Sequence, residues 1–157
     1  MVMPTGNKIT WKGTKSRTAV QDNRPPGADV LTVDDPLPGL ILGKRAGSSY
    51  EWYISLALDK YNWKYMYQVV VNHGSRMAGG QILDFLVSTR PMKTALPVDG
   101  GYWHRNTDEQ QMKDEELLQA LRRKGYQVSS DIKRAFDKDA ATLLDAERFI
   151  LKTFGRN

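Results

Sequence analysis

The chain has 157 residues, a length that fits one domain with tails, and its 23 Lys and Arg against 18 Asp and Glu give a formal net charge of +5. This mild positive charge favours a phosphate-bearing partner such as nucleic acid, but ribosomal, membrane-surface and nuclease proteins all share it. No cysteine is present and the histidines are His73 and His104, so disulfides, thiolate catalysis and cysteine-based or three-histidine zinc sites are excluded.

The first 46 residues differ from the rest of the chain. Prolines at positions 4, 25, 26, 36 and 38 and little periodicity predict a flexible or partly ordered basic arm. Short apolar patches at 30–33 and 40–42 could dock on the body at 47–157, and the alternative is a basic arm that contacts a nucleic-acid backbone. The chain has no apolar run of about 20 residues and no secretory h-region. We therefore expect a soluble, cytoplasmic protein without a membrane partner.

The first half of the body predicts a helix and two strands. Ser48 to Glu51 fit a capping box, and the apolar residues that follow predict a helix over 49–60. Aromatic and β-branched residues at 63–71 predict a strand, and 81–87 is a second apolar strand.

The second half predicts a third strand over 94–98, ended by a glycine turn at 99–101. An amphipathic helix follows over 108–124 and stops at Gly125. A short strand is predicted at 126–128, and a last helix at 131–153 carries an apolar stripe of Phe136, Ala140, Leu143, Ile150 and Phe154. Helices on either side of a small mixed sheet predict an α/β fold, a three-layer α/β/α sandwich.

Two residues indicate chemistry. Asp84 is a lone carboxylate within the apolar second strand, where an unpaired charge is costly to bury, and His104 follows the glycine turn. Without cysteine, a catalytic metal would rest on carboxylates and carbonyls, which suits Mg²⁺ or Mn²⁺. The competing interpretation of Asp84 is a structural ion pair with Arg76, Lys64 or Arg90.

The chain resembles a known family over about residues 48 to 128. The residues concerned are Glu51 on the first helix, Asp84-Phe85 on a strand, Gly100-Gly101-Tyr102-Trp103-His104, and Asp114 ahead of Gly125-Tyr126. This pattern is similar to that of the very-short-patch-repair-type endonucleases, a branch of the PD-(D/E)XK, restriction-endonuclease-like superfamily. Where the wider superfamily has Glu-x-Lys on the third strand, this chain has Pro97-Val98-Asp99. The repair-type branch, which uses histidine in place of the lysine, fits better.

The resemblance implies a metal-dependent DNA endonuclease and a role for each matching residue. Asp84 would be the principal ligand of Mg²⁺ or Mn²⁺, a backbone carbonyl near Val98 a second ligand, and Asp99 a partial substitute acid. His104 would take a proton from the attacking water. The two outer acids, Glu51 and Asp114, would orient waters or the histidine.

Each of these residues has a structural alternative. Glu51 is also a capping residue of its own helix, and His104 could pack or cap beside Trp103. Asp114 lies on a charged helix face where a solvated carboxylate is the default, and Asp99 is first of all a turn residue.

Other functions remain open at this point. The domain could bind nucleic acid without cleaving it, since Glu-x-Lys is missing, or it could be a junction-resolving nuclease, which would need a homodimer to cut two strands symmetrically. A basic structural protein, with Asp84 in an ion pair, is the third interpretation.

Overall fold

The computed structural model of the protein describes residues 35–71, 81–99 and 108–157. Within these residues the chain forms three α-helices and seven short strands. In chain order they are β1 (Leu40–Ile41), β2 (Lys44–Arg45), α1 (Ser49–Lys60), β3 (Tyr65–Val71), β4 (Gln81–Val87), β5 (Thr94–Leu96), β6 (Val98–Asp99), α2 (Asp108–Arg123), β7 (Ala135–Phe136) and α3 (Leu143–Thr153).

An antiparallel sheet of β3, β4 and β5 is the centre of the fold, with β4 in the middle. Phe85 on β4 is the partner of Tyr67 on one side and of Leu96 on the other. The chain then passes through Pro97 and changes neighbour, because β6 pairs in parallel with β7. The predicted third strand over 94–98 is thus divided between two sheets. Proline has no N–H for a ladder, which is the physical reason for a break at this residue.

Two apolar clusters cover the central sheet. The first joins α1 and α3 to the sheet through fully buried side chains such as Ile54, Phe85 and Ile150. The second packs α2 against the sheet, with Leu83 and Leu121 buried in it. Burial of such a side chain contributes about 1.5–3 kcal/mol, so these clusters fix the helices on the sheet. The predicted α/β architecture, with helical layers on both faces of a small sheet, is confirmed.

Helices α1 and α2 lie where the sequence predicts them. Helix α1 begins after Ser48, whose hydroxyl accepts the N–H of Glu51 as an N-cap. Helix α2 ends before Gly125, which has a φ of +100°, and the N–H of Tyr126 donates to the carbonyl of Leu121. These bonds satisfy end groups that the helix itself leaves unpaired.

The predicted helix over 131–153 is wrong in its first half. Residues 135–136 form β7, a short 3₁₀ turn follows at Asp137–Asp139, and α3 begins only after Thr142, which accepts the N–H of Asp145. Phe136 and Ala140 of the predicted stripe therefore lie outside the helix. The predicted strand at 126–128 is reduced to one bridge between Lys93 and Val128.

The end of the predicted N-terminal arm folds onto the body as a β-hairpin. Strands β1 and β2 pair with each other, and Leu42 and Gly43 between them have positive φ, as a two-residue hairpin turn requires. Ile41 and Ala46 are buried in the first cluster, so the apolar patch at 40–42 docks through Ile41. Residues 1–34 lie outside the described residues. Over the described ranges, no helix combines the length and the apolar character that a bilayer crossing demands.

Candidate active site

Asp84 lies at the middle of the central strand, between two gaps in the ladder. The register of β3 and β4 puts it opposite Gln68, and the register of β4 and β5 puts it opposite Pro97; neither residue takes part in the described pairing at this point. Gln68 has a φ of +56°, so its backbone departs from the strand conformation. The strand pairing is therefore interrupted on both sides of this carboxylate.

Among the described residues, the carboxyl group of Asp84 is hydrogen-bonded at one of its two oxygens. Oδ2 accepts the backbone N–H of Val98 at 2.8 Å. Burial raises the pKa of Asp84 to about 7, the Val98 N–H opposes this rise, and the negative charges of Glu51 and Asp99 add to it. The group therefore titrates near neutral pH. A cation bound to this carboxylate would offset both the cost of burying its charge and the repulsion from Glu51 and Asp99.

The alternative role of Asp84, a structural ion pair, finds no partner in the described part of the chain. Within residues 35–71, 81–99 and 108–157, neither Lys64 nor Arg90 forms an ion pair with it, and no hydrogen bond is made to its Oδ1. Arg76, the third candidate partner, lies outside these ranges. No described residue therefore occupies Oδ1 of Asp84, and this oxygen can bind a ligand.

Glu51 reaches from the first turn of α1 to the sheet. Its Oε1 accepts the hydroxyl of Ser48 at 3.0 Å, and its Oε2 accepts the hydroxyl of Tyr67 at 2.6 Å. The first bond belongs to the capping interpretation, but the second ties the carboxylate to β3. A side chain at position 47 would intrude here, because a Cβ on Gly47 would lie 2.7 Å from Oε1.

Tyr67 connects Glu51 to the neighbourhood of Asp84. Its oxygen accepts the N–H of Gly47 at 3.0 Å and the Nε2 of Gln68 at 3.3 Å. Burial, with the hydrogen bond to Glu51, raises the pKa of the Tyr67 hydroxyl above its usual value. The hydroxyl therefore stays protonated and serves as a donor to Glu51.

Asp99 and Asp114 are held together by Arg134. The Nε of Arg134 lies 2.7 Å from Oδ2 of Asp99, and its two terminal nitrogens donate to the two oxygens of Asp114 at 2.8 and 3.2 Å. Burial lowers the pKa of Arg134, but the bonds and charges of the two carboxylates outweigh this effect and leave it raised. The guanidinium thus stays charged and joins the end of β6 to α2.

The described acids do not form a complete metal site. Among residues 35–71, 81–99 and 108–157, no group of three acidic or histidine side chains is arranged to hold a metal ion. The N–H of Val98 donates to Asp84, and a ligand role for the carbonyl near Val98 stays a prediction. The remaining candidate, His104, and its neighbours at 100–103 lie outside the described residues. One or two carboxylates are what Mg²⁺, which keeps several of its waters, commonly takes from a protein.

Sequence reasoning missed Tyr67 and Arg134. Tyr67 occupies an ordinary inward-facing position in the alternation of its strand, so the sequence does not distinguish it from other strand aromatics. Its hydrogen bond to Glu51 spans 16 positions of the chain. Arg134 is placed by the parallel pairing of β6 with β7, two strands too short to have a detectable period. The sequence holds no local signal for either contact.

No protein-family model and no curated protein matches the chain. Among solved structures, the chain is similar to the catalytic domain of a homing endonuclease. The match has 22% sequence identity and a TM-score of 0.36, and it covers 69% of this chain and 99% of the other.

Proposed function

We propose that this protein is a metal-dependent endonuclease that hydrolyses phosphodiester bonds in DNA, of the very-short-patch-repair type that its sequence resembles. The observation that carries the proposal is the Asp84 carboxyl group: it is largely buried, has a pKa near 7 through burial and two neighbouring acids, and keeps Oδ1 unbonded among the described residues. Perturbed acids of this kind cluster at functional sites.

Asp84 is the proposed ligand of Mg²⁺ or Mn²⁺. A divalent ion bound there would neutralise the charge on the phosphate and favour ionisation of the attacking water. The Val98 N–H holds Oδ2 in place, which fixes the direction in which the rest of the carboxylate is presented.

The proposed partners of Asp84 are Glu51 and His104. Glu51 is held by the Tyr67 hydroxyl and can accept a hydrogen bond from a water on the metal side of the site. His104 is the proposed acceptor of the water's proton, because histidine is the side chain that most often serves as a general base.

For Asp99 and Asp114 we propose a supporting role through Arg134. Ligation of a metal by Asp99 would compete with its ion pair to Arg134 at 2.7 Å. Both carboxylate oxygens of Asp114 accept hydrogen bonds from the same guanidinium. The ion-pair network would then hold β6, and with it the Val98 N–H, against α2.

A second candidate function, DNA binding without cleavage, has one observation in its favour. The described carboxylates do not form a three-ligand metal group, and Asp99 is already engaged by Arg134 within the part of the chain that the structure describes. Such a domain would bind with a steep salt dependence and cut no strand with any metal.

A plasmid nicking assay with titrated Mg²⁺ and Mn²⁺ distinguishes the two functions. We expect metal-dependent nicks or linear product, and a loss of about 100-fold or more in rate for Asp84→Asn and His104→Ala, the usual size for groups that act in the transition state. Asp131→Asn is the matched control, because it removes an exposed carboxylate whose ion-pair partner among the described residues is Lys133.

The substrates should include mismatched and branched duplexes as well as plain plasmid. Absence of cleavage on all of them with both metals, while salt-sensitive binding persists, would contradict the endonuclease and support the binding domain. Preferential, symmetrical cutting of branched duplexes by a dimer in sedimentation analysis would favour a junction-resolving enzyme.

A further inference from the structure

The backbone of β3 leaves the strand conformation at Gln68. Its φ of +56° lies in the left-handed region, which residues with a Cβ rarely occupy inside a strand. The register of β3 and β4 puts this residue opposite Asp84. The departure from regular geometry therefore falls directly across from the proposed metal ligand.

This conformation changes the direction of the Gln68 side chain. In a regular strand, consecutive side chains point to opposite faces, so Gln68 would face away from Tyr67. Instead its Nε2 donates to the Tyr67 hydroxyl oxygen at 3.3 Å. The carbonyls of Tyr67 and Gln68 accept Nζ of Lys44 at 3.3 and 3.4 Å, so the displaced backbone has a donor of its own.

The contact with Gln68 helps to determine where the Tyr67 hydrogen points. The phenol oxygen accepts two N–H groups, from Gln68 and from Gly47. Its own hydrogen is then directed at Oε2 of Glu51, 2.6 Å away. Hydrogen bonds in such a chain polarise one another, so each donor strengthens the next bond.

We propose that Gln68 is a positioning residue of the candidate active site, and that its left-handed backbone conformation serves to keep the Tyr67 hydroxyl on Glu51. The importance of the contact for cleavage rests on the proposed endonuclease function; the hydrogen-bond chain does not. The left-handed conformation of Gln68 costs folding free energy, and in return it orders the Glu51 carboxylate near Asp84. Backbone strain of this kind clusters at functional sites.

Two single variants test the proposal. Gln68→Gly retains the left-handed backbone without a Cβ penalty but removes the amide, so we expect a urea midpoint equal to or above that of the wild type and a kcat about tenfold lower with KM unchanged. Gln68→Asn keeps an amide on a residue that tolerates positive φ, and should recover part of the lost kcat.

The double variant distinguishes a shared chain from separate effects. Tyr67→Phe removes the hydroxyl that Gln68 acts on, so Gln68→Gly should slow the Tyr67→Phe protein no further. Cleavage by Gln68→Gly at the wild-type rate, a lowered urea midpoint, or losses that multiply in the double variant would each overturn the proposal.

An NMR measurement separates this proposal from the endonuclease itself. With ¹³C-labelled glutamate, the Glu51 carboxyl resonance is assigned through Glu51→Gln. Gln68→Gly and Tyr67→Phe should both move it in the same direction, whether or not the wild type cleaves DNA. An unmoved resonance in Gln68→Gly overturns the positioning role, and a wild type that cleaves no substrate overturns only the endonuclease.

Discussion

The backbone N–H of Val98 donates to the carboxyl group of Asp84 across 14 positions of the chain, at 2.8 Å. This bond joins the central strand to the place where the next strand changes neighbour. Among the described residues it is the one hydrogen bond that the Asp84 carboxyl group accepts, and the negative charges of Glu51 and Asp99 act on the same group. The balance between the donor and the surrounding negative charge makes Asp84 sensitive to pH, to metal and to substitution.

Asp84 should make the folded protein less stable as pH rises toward neutrality. The folded protein keeps the proton on Asp84 up to a pH of about 7, whereas the ordinary value is 3.8. Between these values the folded state binds more protons than the unfolded chain, so the free energy of unfolding falls as pH rises. Asp84→Asn keeps an acceptor for the Val98 N–H without the charge, and should be more stable than wild type at pH 8 by up to about 4 kcal/mol, given a rise of about three pKa units at about 1.4 kcal/mol each.

Urea unfolding at pH 4 and pH 8 measures this difference. The gain from Asp84→Asn should largely disappear at the lower pH, which is close to the ordinary pKa of 3.8 and leaves Asp84 neutral in the folded protein. Asp131→Asn, at an exposed carboxylate, should show no such pH-dependent gain. An Asp84→Asn protein less stable than wild type at pH 8 would mean that a cation outside the described residues already pairs with Asp84.

Divalent metal should raise the melting temperature more at pH 8 than at pH 6. A metal bound at Asp84 needs the ionised carboxylate, so binding competes with the proton that is held there below a pH of about 7. Thermal melts with Mg²⁺, Mn²⁺ and no metal give the shift, and Asp84→Asn should abolish it. A shift of equal size at both pH values would place the metal elsewhere.

Loss of Arg134 should destabilise the fold. The side chains of Arg134 and Asp114 are 17% and 25% exposed, so removing the guanidinium leaves two partly buried carboxylates without their cation. Arg134→Ala should cost about 2–3 kcal/mol in chemical unfolding, below the usual range for a fully buried pair. Arg134→Lys keeps the charge but not the two-pronged geometry and should lie in between.

The neighbouring residue supplies the control for that experiment. Lys133 pairs with Asp131 at the surface, with side chains 38% and 68% exposed, and Lys133→Ala should cost less than about 0.5 kcal/mol because exposed pairs are screened. Equal losses for the two variants would show that net charge, and not the link between β6 and α2, is what matters.

Substitution of Gly47 should affect the site more than the fold. The Cβ of Gly47→Ala would lie 2.7 Å from Oε1 of Glu51, so the carboxylate must move from its place between Ser48 and Tyr67. We expect cleavage to fall about tenfold, since small displacements of active-site groups have large effects on rate. In a Glu51→Ala background the same substitution should have no further effect, and an additive loss would assign the damage to the backbone.

The sequence predicts the elements whose residues repeat with a clear period. The limits of α1 agree with the prediction because Ser48 caps it and apolar residues fill its inner face. The predicted strand 81–87 is β4, and Asp84 stands out within it because a carboxylate in an apolar run is costly to bury without a partner.

Contacts between distant short segments could not be predicted in the same way. Residues 131–142 were expected to be helical, but Ala135 and Phe136 pair with β6, and two residues have no period from which to infer a strand. Nor does the sequence around Gln68 interrupt the alternation of β3, so its positive φ has no local signal. Such features come from the tertiary fold rather than from intrinsic preference.

Pro97 has a consequence for the sheet beyond its missing N–H. Its carbonyl accepts the N–H of Ala135, while the amide immediately after it, that of Val98, donates to the side chain of Asp84 on β4. The two groups of this one peptide unit thus have different roles. The Pro97 carbonyl extends the pairing with β7, and the Val98 N–H supplies Asp84 with a donor. Pro97 has no side-chain functional group. Because it interrupts the strand pairing at this point, the next N–H, that of Val98, is free to bind the carboxylate of Asp84.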